Sequence, residues 1–135
     1  MSGRGQRLRA PALTFGALAA AALALRLHDP HQRGSWGFCP SALLGVACPG
    51  CGGLRAVNDL THGDVGAAAS SNLLLVAGAP FAVALLVLWT VARWRDRPMP
   101  RPPERTRRVS VWLLAGAALG FTVLRNTPAG AWLAP

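Results

Sequence analysis

Residues 72–92 read "NLLLVAGAPFAVALLVLWTVA", a run without a single charged side chain. A helix that crosses the hydrocarbon of a bilayer needs roughly 20 predominantly apolar residues, with a range of about 17–25. This stretch meets that length outright. It therefore sets the expectation for the whole chain: an all-α integral membrane protein rather than a soluble domain with buried helices.

Two further segments follow the same pattern on either side. Upstream, residues 11–27 read "PALTFGALAAAALALRL", interrupted only by Arg26. Downstream, residues 109–125 read "VSVWLLAGAALGFTVLR". Both are short for a span, but flanking arginines can extend their stems along apolar surface and keep their charge in the headgroup region. The expected organisation is one membrane domain over 1–135, with spans at about 11–27, 72–92 and 109–125. The first segment also resembles the hydrophobic part of a secretory signal. An uncleaved anchor is the better reading, because apolar residues continue past "ALA" at 22–24 with no polar region before it.

Composition agrees. Of 135 residues, 52% are hydrophobic, and the mean hydropathy of +0.33 is high for a soluble chain. The net charge is +9, from 14 basic and 5 acidic residues, and every basic one is arginine. A basic chain can bind nucleic acid. Here the charge is gathered in blocks beside apolar runs, which is the pattern of a membrane protein, so no nucleic-acid partner is expected.

The distribution of arginine sets an expected orientation. Arg4, Arg7 and Arg9 precede the first span, and the 93–108 segment "RWRDRPMPRPPERTRR" is dense in arginine and proline. The 34–71 segment has no such excess. By the positive-inside rule, the N-terminus and the 93–108 loop face the cytoplasm, and the 34–71 segment and C-terminus face out. Prolines keep the loop extended, and its arginines suit anionic headgroups. Trp36, Trp89, Trp94, Trp112 and Trp132 lie near the ends of spans, as interfacial tryptophans do.

Between the first two spans lies "GVACPGCGGLRAVNDLTHGD", residues 45–64. Proline is favoured at the first helical position, so Cys48-Pro49 reads as a helix start and the helix is expected over about Pro49 to His62. Gly63 suits the position after its end and Asp64 the cap of the next helix. On a helical projection Arg55, Asn58, Asp59 and His62 fall within about 80° of Cys51. Ala56, Val57 and Leu60 lie opposite, so the helix is amphipathic. Its apolar side should lie on the membrane or on the spans, and its other side reads as a solvated polar face. Arg55 and Asp59 have the spacing of a weak helical ion pair.

"CPGCGGLRA" followed by "HGD" resembles the CPxCGxTRA signature of a family of small bacterial membrane proteins known as domain of unknown function 2752. Cys39-Pro40 upstream, Gly63-Asp64, Asn72, and Arg125-Asn126 resemble further features of that family. Leu54 stands where the family usually has threonine and Leu73 where an Asn-Pro is usual, so a role for that hydroxyl does not carry over. The resemblance implies a multi-helix fold in the bacterial cytoplasmic membrane, and no activity.

The chemistry of the segment stays open among four readings. Exported cysteines meet oxidising conditions, so Cys48, Cys51 and Cys39 can form a structural disulfide, the favoured reading. A CxxC pair at a helix start beside Arg55 is also a redox candidate. Cys39, Cys48 and Cys51 are candidate zinc ligands, with His28 or His31 as the fourth, since His62 lies too far along the helix from Cys51. No cofactor is otherwise expected. Arg55, Asn58, Asp59, Arg125 and Asn126 are candidates for binding an anion, a lipid or a membrane-protein partner. No serine–histidine–aspartate set, phosphate loop or carboxylate pair points to an enzyme.

Overall fold

The computed structural model describes residues 3–32, 41 and 44–133. Cys39, Pro40 and Trp36 lie outside these. The described chain is helical, in the order α1 (Gly3–Leu27), α2 (Gly53–Thr61), α3 (Val65–Trp94), α4 (Glu104–Arg125) and a 3₁₀ turn, η1 (Pro128–Leu133). Helices α1, α3 and α4 are each long and apolar enough to cross a membrane. The expected three spans and the short helix between the first two are therefore present, each span running further into its flanks than hydropathy alone places it.

Helix α3 is two helices joined at a kink. Asn72 has φ −159° and ψ 90° inside it, and its side-chain Oδ1 accepts the Leu75 backbone N–H at 2.9 Å. Asn72 thus caps the spanning part, which rises about 33 Å to Trp94. The preceding piece starts at Asp64, whose carboxylate accepts the Ala67 N–H at 2.8 Å, the expected N-cap.

Helix α2 packs on α3 and on the end of α1, while α4 packs on η1, which rests on α3. The C-terminal end of α1, the start of α3 and the C-terminal end of α4 therefore gather at one end of the bundle, with α2 and η1. The other end carries Arg7 paired with Asp96 at 2.8 Å, tying α1 to the end of α3. Arg107 and Glu104 pair there as well.

Polarity runs inside out. Large apolar side chains such as Phe81, Leu85, Leu88, Leu113 and Leu119 point outward along the spans. The interior at the α2 end holds Asn58, Asp59, Ser71, Asn72 and Arg125, beside Ala56, Ala68, Phe121 and Leu133. In water this arrangement would expose the apolar surface that drives folding. In hydrocarbon it is the favourable one, since lipid solvates the outside and the protein interior satisfies the polar groups.

Candidate functional site

The CPGC segment is a turn and not the first turn of a helix. The Cys51 N–H donates to the Cys48 carbonyl at 3.1 Å, and the Gly53 N–H to the Gly50 carbonyl at 3.0 Å. Gly52 follows with φ +76° and occupies the N-cap of α2. That left-handed conformation suits glycine, which has no Cβ to clash. The helix therefore starts at Gly53 instead of Pro49. Proline's fixed φ suits the second position of a turn as well as it suits a helix start, and tertiary contacts to the turn's carbonyls decide between them.

Those contacts come from two spans. The Asn72 amide donates to the Pro49 carbonyl at 2.9 Å and to the Cys51 carbonyl at 3.1 Å. Arg125 Nη1 donates to the Cys48 carbonyl at 2.9 Å and to the Cys51 carbonyl at 3.0 Å. Its Nη2 donates to the Leu133 carbonyl of η1 at 2.9 Å. The guanidinium carbon lies 5.0 Å from the centre of the Phe121 ring, one helical turn back, a cation–π contact. Asn126 completes the hold. Its Oδ1 accepts the Ala47 N–H and its Nδ2 donates to the Ala47 carbonyl, both at 2.9 Å. Asn72 and Arg125 are 1% and 2% exposed.

The two thiols belong to the same turn. Cys48 and Cys51 are half-buried, with sulfurs 3.2 Å apart. That is longer than a disulfide's bond of about 2.05 Å, so the pair is close but not bonded. Ser41 Oγ lies 3.6 Å from the Cys51 sulfur.

Helix α2 presents its polar side to the protein and not to solvent. Asn58 and Asp59 are 5% and 8% exposed, while Leu54 points outward. The Asn58 amide donates to the Leu25 carbonyl of α1 at 2.7 Å. Asp59 Oδ2 accepts the Ser71 hydroxyl of α3 at 2.9 Å, and its Oδ1 lies 3.4 Å from His31 Nε2. The expected solvated face is thus a set of polar contacts to α1, α3 and the connection before α2.

The candidate ion pair of Arg55 with Asp59 is replaced. Arg55 Nε donates to the Pro30 carbonyl at 3.4 Å, and Asp59 goes to Ser71 and His31. Arg26 donates to the Thr61 carbonyl at the end of α2. His62 Nδ1 lies 2.9 Å from the Asn58 carbonyl on its own helix. The helix then closes as expected at Gly63, φ +79°. The Asp64 N–H reaches the Asp59 carbonyl and the Gly63 N–H the Leu60 carbonyl, at 3.0 and 3.1 Å. This is the Schellman pattern.

Upstream, His31 Nδ1 pairs with Asp29 Oδ1 at 2.8 Å, and the His31 backbone N–H donates to the same oxygen at 2.9 Å. The backbone N–H, then the imidazole, hold the Asp29 carboxyl below its usual value. Asp29, His31, Asp59 and Ser71 thus form a polar chain joining the α1–α2 connection to α2 and α3.

Of the sequence candidates, the fold brings Cys48, Cys51, Arg125 and Asn126 together, and sets Arg55, Asn58 and Asp59 apart from them on the α1 side. Cys39 lies outside the described residues. Among the described residues, no three His, Cys, Asp or Glu side chains are grouped to hold a metal. Asn72 stands outside the candidate site residues of the sequence, although an asparagine beside an apolar run signals an interhelical bond. Ser71 and the Leu133 carbonyl had no such signal, and His31, a candidate fourth zinc ligand, instead bridges Asp29 and Asp59.

Residues 39–86 match a family model described as a protein of unknown function, DUF2752, the family that the motif resembles. The matched stretch contains the CPGC turn, α2 and Asn72. No curated protein and no solved structure matches the chain.

Proposed function

We propose that this small membrane protein displays a disulfide-forming dithiol, Cys48 and Cys51, on the outer face of the bacterial cytoplasmic membrane. The observation that carries the reading is the 3.2 Å approach of the two sulfurs in a turn whose carbonyls are held by Asn72 and Arg125. Closing the bond needs only a small movement within a turn that two spans already position.

Orientation rests on charge. The end of the bundle away from the turn carries Arg7, Arg9, Arg93, Arg95, Arg97, Arg101, Arg105, Arg107 and Arg108, and arginine-rich segments stay cytoplasmic. The turn then faces a compartment where disulfides persist. The clamp also argues against a purely structural staple. A loop this short contributes about 2 kcal/mol in the chain-entropy account, and hydrogen bonds already fix this one. The reading therefore favours a reversible pair that serves a neighbouring envelope protein.

The test is labelling of intact cells with a membrane-impermeant maleimide, before and after a mild reductant. Labelling of Cys48 and Cys51 only after reduction is the expected result. Labelling without reductant would remove the disulfide, and labelling only after lysis would reverse the orientation.

A further inference from the structure

We infer that Arg125 is the electrostatic partner of the thiol pair: when Cys48 and Cys51 are reduced, its buried guanidinium holds one of them as the thiolate. This deepens, and rests on, the reading of the turn as a disulfide-forming pair. It assigns Arg125 as a positioning residue that makes the turn active in thiol–disulfide exchange.

Arg125 is 2% exposed, and a buried cation needs compensating partners. Arg125 spends its donors on three neutral carbonyls, and its Nε–H has no partner. Neutral acceptors offset only part of what a full charge loses on leaving water. A carboxylate is the usual remedy, and the chain has only five acidic side chains. Each is engaged elsewhere: Asp29 with His31, Asp59 with Ser71 and His31, Asp64 with the Ala67 N–H, Asp96 with Arg7, and Glu104 with Arg107. Two of the three carbonyls that Arg125 holds belong to Cys48 and Cys51 themselves. Among the described residues, those thiols are the ionisable side chains on the residues whose carbonyls the cation holds, and a cation at the turn favours the thiolate.

The exchange step follows from the pair's spacing. The thiolate attacks one sulfur of a disulfide in an exported protein, forming a mixed disulfide and expelling that protein's other sulfur as thiolate. The second CPGC thiol gives its proton to solvent and displaces the partner sulfur. The turn ends as the Cys48–Cys51 disulfide, oxidised by two electrons, and the partner ends as a reduced dithiol.

The test uses the full chain in mild detergent, reduced and freed of reductant, with iodoacetamide alkylation followed against pH by peptide mass. Wild type should show a midpoint about one pH unit or more below the ordinary cysteine value of about 8.5. R125Q should react about tenfold more slowly near neutral pH, and R125K, which keeps the charge, should fall near wild type. An ordinary wild-type midpoint, or R125Q equal to wild type, overturns the inference. Should R125Q lose its helical circular dichroism, the wild-type midpoint and the acid titration of its thiolate absorbance decide alone. Incubation with oxidised glutathione, read by peptide mass, separates the two proposals. A disulfide that forms in a chain with an ordinary midpoint removes the role of Arg125 and leaves the dithiol reading. A low midpoint in a chain that forms no Cys48–Cys51 disulfide removes the dithiol reading itself.

Discussion

Substituting Asn72 separates the two jobs of one side chain. Its amide nitrogen donates to the Pro49 and Cys51 carbonyls, and its oxygen caps the spanning part of α3 at Leu75. Each neutral hydrogen bond is worth about 1 kcal/mol, and the cap about 1 kcal/mol. N72A loses all three and should be destabilised by about 3 kcal/mol, roughly a hundredfold in the folding equilibrium. N72S keeps an oxygen that can cap and loses the two donors, for about 2 kcal/mol. N72D also keeps a cap but sets a carboxylate against two carbonyls, and should be the least stable of the three. Stepwise denaturation in mixed detergent micelles, followed by circular dichroism, gives the order. Alkylation of the reduced chain gives the local effect, because a released turn exposes Cys48 and Cys51. Stabilities of N72A and N72S within about 0.5 kcal/mol of the parent, the range of ordinary surface changes, with thiol reactivity unchanged, would refute the clamp.

Other substitutions test the elements around it. A Cβ at Gly130 would collide with the Leu124 carbonyl and approach Arg125 N at 3.0 Å; G130A should lose about 1–3 kcal/mol and displace the η1 carbonyl held by Arg125, seen as a lower melting temperature. Gly63 has φ +79°, so G63A should lose about 1–2 kcal/mol. G78A, with open space around its Cβ in the middle of α3, should be neutral or stabilising by up to about 1 kcal/mol. Asp29 is held below its usual carboxyl value by His31. Its folded value is the lower one, so its contribution is full above the unfolded value and is lost as pH falls through the folded value. Denaturation at acid pH should show that loss in wild type and lack it in D29N.

The spans were legible because lipid demands length and apolarity, and residues 72–92 supply both with no tertiary help. Gly63 and Asp64 were legible because local backbone geometry decides a helix end. The start of α2 was not, because Pro49 fits a turn and a helix equally until Asn72 and Arg125, which lie far along the chain, draw the intervening carbonyls inward. The direction of the polar face was misread for a similar reason. In water Asn58 and Asp59 would face outward. In the fold they turn to Leu25 and Ser71, and only packing reveals those partners. Asn72, Arg125 and Asn126, distant from the CPGC turn along the chain, share a physical role: they hold the backbone of residues 47–51.

The most direct measurement is peptide mapping of the protein taken from its native membrane under acid quench, with free thiols blocked before any reductant is added. The account predicts a peptide in which Cys48 and Cys51 are linked to each other and lighter by two hydrogens, becoming alkylatable only after reduction. Both cysteines recovered as blocked thiols, or either one linked to Cys39, would contradict it.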